Sequence, residues 1–247
     1  MRAIAQLGAM ARFFFGALYS WAWLPKPGRR VALKVLIKQV WFTALQAIPI
    51  VIVLAAILSF LVISRAVQEL GRLGATELIG RLVVIAIVRE LGPLITALIV
   101  TGRSGTAIAT ELATNKVMGE INALEGMGID PAHYLVLPRL GGAIISVFGL
   151  IIVFDVVSIF AGLVAAVLSG MTSARYFEIV LASLAFKDAW LTVAKGVVFG
   201  IIVGTVPSFH GLSVRNAATE VPVAASRGVV VSIIAIFLAS GLFVVVS

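Results

Sequence analysis

Two long stretches without a charged residue place the tightest limit on what this chain can fold into. Residues 39–64 and 228–247 contain 26 and 20 residues, and neither stretch has an Asp, Glu, Lys or Arg. About 20 apolar residues in a helix cross the roughly 30 Å hydrocarbon core of a bilayer. The whole chain is 61% hydrophobic and 12% charged, with a mean hydropathy of +1.15, far from the values of soluble domains. The sequence therefore predicts an all-α integral membrane protein.

We predict five transmembrane helices after a basic N-terminal unit. Within residues 3–23, apolar side chains recur at helical spacing beside Arg2 and Arg12, which favours an amphipathic helix lying in the membrane interface. An ordinary first transmembrane helix is the alternative, and we expect no cleavable signal peptide. Residues 1–40 thus form a basic interfacial helix and elbow, and residues 41–247 form the transmembrane domain. The predicted spans are residues 41–64, 82–102, 140–168, 189–209 and 228–246.

The distribution of charge predicts the orientation of these spans. Of the net charge of +8, the first forty residues carry +7 and contain no acid, which favours contact with anionic lipid over nucleic acid. The N-terminal unit and the loops on the same side carry twelve Lys or Arg residues, against five on the other side. We therefore expect a cytoplasmic N-terminus and, after five spans, a C-terminus outside. The chain has no cysteine, so it contains no disulfide and no thiolate metal site.

Charged residues inside the predicted spans are the candidate binding site. At about 1.5 Å per helical residue, Arg89 and Lys195 lie at the same depth in the outer half of the bilayer, beside Glu90. Two cations and one anion leave a positive charge, which suits the phosphate or carboxylate of a lipid head group. A structural cluster that only fastens helices is the alternative. For Asp155, a protonated or hydrogen-bonded structural role is favoured over ion coupling, and Arg103 is expected to reach head groups at the cytoplasmic end.

The loop TNKVMGEINALEGMGIDP, residues 114–131, predicts a short amphipathic helix on the cytoplasmic face. Thr114 or Asn115 can cap it, and two glycines end it. It either packs on its own bundle or docks a soluble partner. Its apolar stripe and rim charges are Val117, Ile121 and Leu124 with Glu120 and Glu125.

Small residues and prolines predict how the spans pack. Gly196, Gly200 and Gly204 lie on one helical stripe, which favours close helix packing within the subunit, with a seam between subunits as the alternative. Three prolines, at residues 49, 93 and 207, predict bends or local unwinding.

Motifs for catalysis are absent from the sequence. There is no G-x-x-x-x-G-K-[ST] phosphate loop, so we do not expect this chain to hydrolyse ATP. His133 and His210 have no acidic or histidine neighbour at ligand spacing, so we predict loop positions for both and no metal site. A transport subunit is favoured over an enzyme.

The run from Arg89 to Arg139, RELGPLITALIVTGRSGTAIATELATNKVMGEINALEGMGIDPAHYLVLPR, resembles the signature region of the MlaE/YrbE permeases. These are membrane subunits of lipid-moving ABC transporters, and the resemblance extends more weakly from about Val40 to the end. It implies a homodimer in the inner membrane with an N-terminal interfacial helix and five spans per subunit. It also implies an MCE-domain partner and an ATP-binding subunit that holds ATP and magnesium, with phospholipid or a related lipid as substrate.

The resemblance also assigns residues. Arg89 and Glu90 fall on the family's Arg-Glu pair, Lys195 on its lysine in the fourth helix, and residues 115–126 on the coupling helix that docks into the ATP-binding subunit. Two departures stand out: Gly119-Glu120 replaces the usual Glu-Gln, and VAASR, residues 223–227, replaces R-A-T-T-R. The alternative functions are an ATP-independent channel and a structural membrane scaffold.

Overall fold

Helices and the turns between them make up the part of the chain that the structure describes, and no strand occurs there. The computed structural model describes residues 26–215 and 217–246, so the interfacial helix predicted for residues 3–23 lies outside them. The α-helices are α1 (Lys26–Val40), α2 (Ile48–Arg72), α3 (Glu77–Leu82), α4 (Gly92–Val100), α5 (Thr106–Val117), α6 (Glu120–Gly126), α7 (Leu137–Leu168), α8 (Ser173–Ser183), α9 (Phe186–Leu212) and α10 (Glu220–Val246). Four π-helical segments are π1 (Trp41–Leu45), π2 (Val83–Leu91), π3 (Thr101–Gly105) and π4 (Ala132–Val136).

The five predicted spans are confirmed as long apolar helical stretches. Each is longer than its predicted segment, because the helix continues past the first charged residue until a turn stops it. The second span, predicted for residues 82–102, takes in α3, π2, α4, π3 and α5. The stretches long and apolar enough to cross a membrane are Leu33–Arg72, Glu77–Val117, Tyr134–Leu168, Phe186–Leu212 and Glu220–Val245.

Two of the four π-helical segments among the described residues lie just before prolines that are predicted to disturb the helix. π1 precedes Pro49, and π2 ends directly before Gly92 and Pro93. A proline has no N–H and its ring crowds the carbonyl four residues earlier, so the preceding turn widens. Local unwinding is therefore confirmed at these two prolines, whereas Pro207 lies inside the regular helix α9.

The glycine stripe of α9 packs against α7 within the same chain. A Cβ atom at Gly200 would lie 2.5 Å from the Cα of Ile144, and one at Gly204 would lie 2.8 Å from the Cα of Leu140. Backbone-to-backbone approach of this kind is the use that small residues serve in membrane helices. The within-subunit interpretation of the stripe is thus the one that the structure shows.

Replacing Gly200 by alanine is expected to lower the free energy of unfolding by about 1–3 kcal/mol, because α7 must move to admit the new methyl group. The matched control is Gly241→Ala in α10, where nothing lies within 4 Å of the added atom. Since alanine is the better helix former, the control should keep or raise stability. Thermal unfolding in detergent compares the two, and equal unfolding temperatures would contradict the close packing.

Candidate functional site

Arg89 and Glu90 lie in π2, three and two residues before Gly92. In a regular helix the N–H of residue 93 would bond to the carbonyl of Arg89, but Pro93 has no N–H to give. The ammonium of Lys195, on the neighbouring helix α9, donates to that carbonyl oxygen at 2.6 Å. The helix-breaking proline thus supplies the acceptor that holds Lys195 in place.

Lys195 also binds the carboxylate of Glu90. Its Nζ lies 2.7 Å from Glu90 Oε1, and its side chain is 1% exposed. Phe243 of α10 places its ring centroid 5.9 Å from the same nitrogen. The prediction that Arg89, Glu90 and Lys195 come together is confirmed, and their depth in the bilayer stays a prediction.

Asp188 is a fourth member of this cluster that sequence reasoning missed. Its Oδ1 accepts a hydrogen bond from Arg89 Nε, and its Oδ2 accepts one from the backbone N–H of Ala185 at 2.7 Å. The Asp188 side chain is 3% exposed. Sequence reasoning assigned Asp188 to the loop before span four, whereas α9 starts at Phe186 and holds Asp188 in its first turn.

The charges of the cluster therefore balance. Arg89, Glu90, Asp188 and Lys195, called here the charge cluster, carry two positive and two negative charges. The expectation of one positive charge left over is wrong, because Asp188 neutralises it. A signal was available in the sequence: Asp188 and Lys195 are seven residues apart, so they lie on one face of a helix.

The four side chains differ in their access to a ligand. Arg89 is 22% and Glu90 31% exposed, while Lys195 and Asp188 lie behind them. Arg89 uses only Nε to bind Asp188, and its two terminal nitrogens form no hydrogen bond within the described part of the chain. A guanidinium with both terminal nitrogens available can bind two oxygens of a phosphate at once. Arg89 and Glu90 are therefore the members of the cluster that a polar ligand can reach, and Lys195 lies behind them.

Asp155 of α7 lies against the bend that follows the charge cluster. A Cβ atom at Gly92 would come 2.5 Å from Asp155 Oδ1, so the carboxyl group lies directly against this glycine and would have to shift for a larger residue. That oxygen is buried and has no hydrogen-bond partner among the described residues. The structural role predicted for Asp155 thus stays a prediction, with no hydrogen bond to Oδ1 to support it.

Arg103 is engaged by the protein. Its Nη1 donates to the carbonyl oxygen of Phe42 at 3.2 Å, and its Nη2 donates to the side chain of Gln46. Its guanidinium also lies 5.1 Å from the centroid of the Phe42 ring. Arg103 thus links the start of span one to span two by hydrogen bonds, instead of reaching out to lipid head groups as expected.

The short helix predicted between spans two and three is present, but it starts later than predicted. Gly119 adopts a left-handed φ of 81°, which ends α5 at Val117, and α6 begins at Glu120. Asn115 and Val117 therefore belong to α5, and the prediction that Thr114 or Asn115 caps the short helix is wrong.

The apolar and polar residues predicted for coupling have different surroundings. Ile121 is buried with Leu124 beside it against α5 and π4, and Val117 packs against α10. Glu120 and Glu125 are exposed, as are two methionines that flank α6, Met118 at 71% and Met127 at 66%. The apolar stripe packs on its own bundle, so a partner could contact only the outer, methionine-bearing face.

The prediction that both histidines lie in loops is wrong, because His133 belongs to π4 and His210 to α9. His210 lies inside α9 and is buried, because the helix runs on to Leu212. The side chain of His133 lies outside the described part of the structure. Among the described residues, no group of three or more His, Cys, Asp or Glu side chains is placed to hold a metal ion.

Comparison with known proteins identifies the family. The model of the family described as Permease MlaE matches residues 36–246, a segment that contains the charge cluster and α6. The chain belongs to the MlaE permease family. The resemblance of residues 89–139 to MlaE/YrbE permeases is thereby confirmed, and the chain is a multi-pass membrane permease.

Proteins named as transport permeases are similar to most of the chain. A probable ABC transporter permease protein of Rickettsia typhi is 30% identical over 235 residues, which are 95% of this chain and 89% of the relative. The intermembrane phospholipid transport system permease protein MlaE of Haemophilus influenzae is 28% identical over 93% of this chain and 85% of its own length. A probable ABC transporter permease protein of Synechocystis is 30% identical over 79% of this chain and 74% of its own length. The similarity thus extends over all five spans.

Proposed function

We propose that this chain is the permease subunit of an inner-membrane ABC transporter that moves phospholipid, powered by ATP hydrolysis in a separate subunit. Family membership and relatives named as ABC transporter permeases support the transporter class. The relative from Haemophilus influenzae, whose name specifies phospholipid transport, supports the substrate class. ATP and magnesium belong to the partner subunit in this proposal.

The single observation that carries the substrate proposal is the charge cluster. Its exposed members are one cation, Arg89, and one anion, Glu90, and the cluster as a whole is neutral. A zwitterionic phospholipid head group has the complementary pattern of a phosphate and an ammonium. The terminal nitrogens of Arg89 would bind the phosphate, and the Glu90 carboxylate would bind the ammonium.

Transport requires two conformations with different affinity for lipid. In the proposed assembly, two copies of the chain form the lipid pathway, the ATPase docks on the cytoplasmic side at α6, and an MCE-domain protein exchanges lipid on the other side. The positive-inside pattern supports a cytoplasmic N-terminus and a periplasmic C-terminus. Nucleotide binding in the ATPase would then shift the exposure of Arg89 and Glu90.

Lipid transfer between two liposome populations tests the function. The complete complex is reconstituted in donor liposomes with a fluorescent zwitterionic phospholipid, and transfer to acceptors is followed with ATP or with a non-hydrolysable analogue. Transfer that requires hydrolysis is expected. Equal transfer under both conditions would instead support an ATP-independent channel, and no transfer would support a scaffold.

Docking at α6 has its own prediction. Met118→Asp combined with Met127→Asp places charge on the exposed face while leaving the buried stripe intact, so the spans should fold and the ATPase should dissociate. We expect co-purification of the ATPase to fall at least about tenfold, as for hot-spot residues in an interface. The matched control is Leu73→Asp, which places a charge at an exposed apolar residue directly after α2. Wild-type ATPase content in the double variant would contradict docking at this face.

A further inference from the structure

A polar cavity lies at the end of the bundle where α9 stops and α10 starts. It has a volume of about 390 Å³ and is lined by residues of both helices and of the loop between them. Small-molecule sites in proteins occupy roughly 300–1,000 Å³, so the cavity is large enough for a ligand group. Along α9 it lies about 22 Å from Lys195, at 1.5 Å per residue, so it is separate from the charge cluster.

His210 gives this cavity an unsatisfied polar group. The residue lines the cavity and is 8% exposed, and its Nε2 has no hydrogen-bond partner among the described residues. Buried polar atoms are nearly always paired, so an orphaned one points to a ligand that the protein alone does not provide. An imidazole nitrogen that carries hydrogen can donate to an anionic oxygen.

Positive charge exceeds negative charge around the cavity. Arg215 and Arg227 both line it, and neither guanidinium forms an ion pair within the described part of the chain. The one carboxylate in the lining, that of Glu220, already accepts a hydrogen bond from the backbone N–H of Arg215 at 2.8 Å. The amino end of the 27-residue helix α10 adds a favourable dipole for an anion.

An apolar surface continues from the cavity along α10. Val223 lines the cavity and is exposed, and the same helix face continues toward the membrane centre with spacings of seven, four and three residues. The acyl chains of a lipid can pack on such an apolar surface, whereas a free phosphate ion cannot. The exposed residues of this face are Val223, Val230, Ile234 and Phe237.

We propose that this cavity binds the phosphate of an anionic phospholipid whose acyl chains lie along α10. Arg215 and Arg227 would pair with the phosphate, and His210 would donate the hydrogen bond that it lacks in the protein alone. The site goes beyond the proposed transport, because a lipid bound here is held at the opposite end of α9 from the charge cluster. It is selective for net negative charge, whereas the charge cluster is matched to a zwitterion.

Retention of lipid by the purified complex tests the site. The complex in detergent is titrated with phosphatidylglycerol or phosphatidylcholine, and bound lipid is counted by native mass spectrometry. Loss of hydrogen bonds to a charged group is expected to weaken phosphatidylglycerol binding about tenfold or more in the Arg215→Gln/Arg227→Gln double variant. Both arginines are exposed, so the fold should survive. Arg72→Gln, at an exposed arginine at the end of α2, is the matched control and should bind like the wild type.

Three outcomes would overturn the proposal. Equal losses of phosphatidylcholine and phosphatidylglycerol binding in the double variant would remove the anion selectivity. Displacement of the lipid by millimolar inorganic phosphate, with no effect of acyl chain length, would assign the cavity to free phosphate. Unchanged lipid binding with loss of the ATPase subunit from the double variant would assign it to an acidic segment of that partner. None of these outcomes bears on ATP-driven transfer by the wild-type complex, so the proposed function is tested separately.

Discussion

Replacing Lys195 with methionine is expected to lower the free energy of unfolding by about 3 kcal/mol, the lower end of the range measured when one partner of a buried ion pair is removed, because Glu90 is partly exposed. The ammonium is almost fully enclosed and satisfies both Glu90 and the Arg89 carbonyl that Pro93 leaves without its helical donor. Methionine fills a similar volume but donates no hydrogen bond. The variant therefore leaves a carboxylate and a carbonyl oxygen without partners in a region poor in water.

The double variant Lys195→Met/Glu90→Leu separates charge from packing. Removal of both charges abolishes the unpaired, partly exposed carboxylate of Glu90, so at least half of the lost stability should return, while the Arg89 carbonyl stays unsatisfied. Thermal unfolding in detergent measures both variants, with Lys38→Met as a control at an exposed lysine of α1. Additive destabilisation in the double variant would show that Lys195 and Glu90 do not depend on each other.

The membrane fold could be predicted from the sequence because the bilayer leaves a helix few alternatives. Charge-free runs such as residues 39–64 must satisfy their backbone internally, so span number and type follow from composition alone. The meeting of Arg89 with Lys195 followed from counting residues along two helices that run in the same direction. Both predictions rest on the regular rise of a helix, and neither depends on how side chains pack.

The wrong predictions concern places where local backbone geometry or a distant partner determines the position of a residue. Asp188 falls in the predicted loop just before span four, yet Arg89 and the Ala185 N–H satisfy it inside the bundle. The positive φ of Gly119 ends α5 at Val117, which one sequence does not reveal. Arg103 is predicted to reach lipid head groups, but the partners that hold it lie 57 and 61 residues earlier in the chain. Long-range contacts of this kind require the folded structure.

Changing Arg89 to lysine isolates the part of the charge cluster that can touch lipid. A lysine keeps the positive charge opposite Asp188, so the cluster stays neutral and folding should be preserved. It lacks the planar fork whose two terminal nitrogens are unused by the protein, and those nitrogens are the proposed phosphate ligands. Loss of one hydrogen bond to a charged group corresponds to about 1.5–3 kcal/mol, or a reduction in transport of roughly tenfold to a hundredfold if the bond is made during transport.

The most direct test of the account is the rate of ATP-driven transfer of a zwitterionic phospholipid by the complete complex carrying Arg89→Lys. Arg72→Lys, at an exposed arginine at the end of α2, serves as the matched control, and the unfolding temperature of each complex is measured alongside. We expect Arg89→Lys to unfold at the wild-type temperature and to transfer lipid at least about tenfold more slowly, with the control unaffected. Transfer at the wild-type rate by a properly folded Arg89→Lys complex would contradict the proposal that the charge cluster binds the head group.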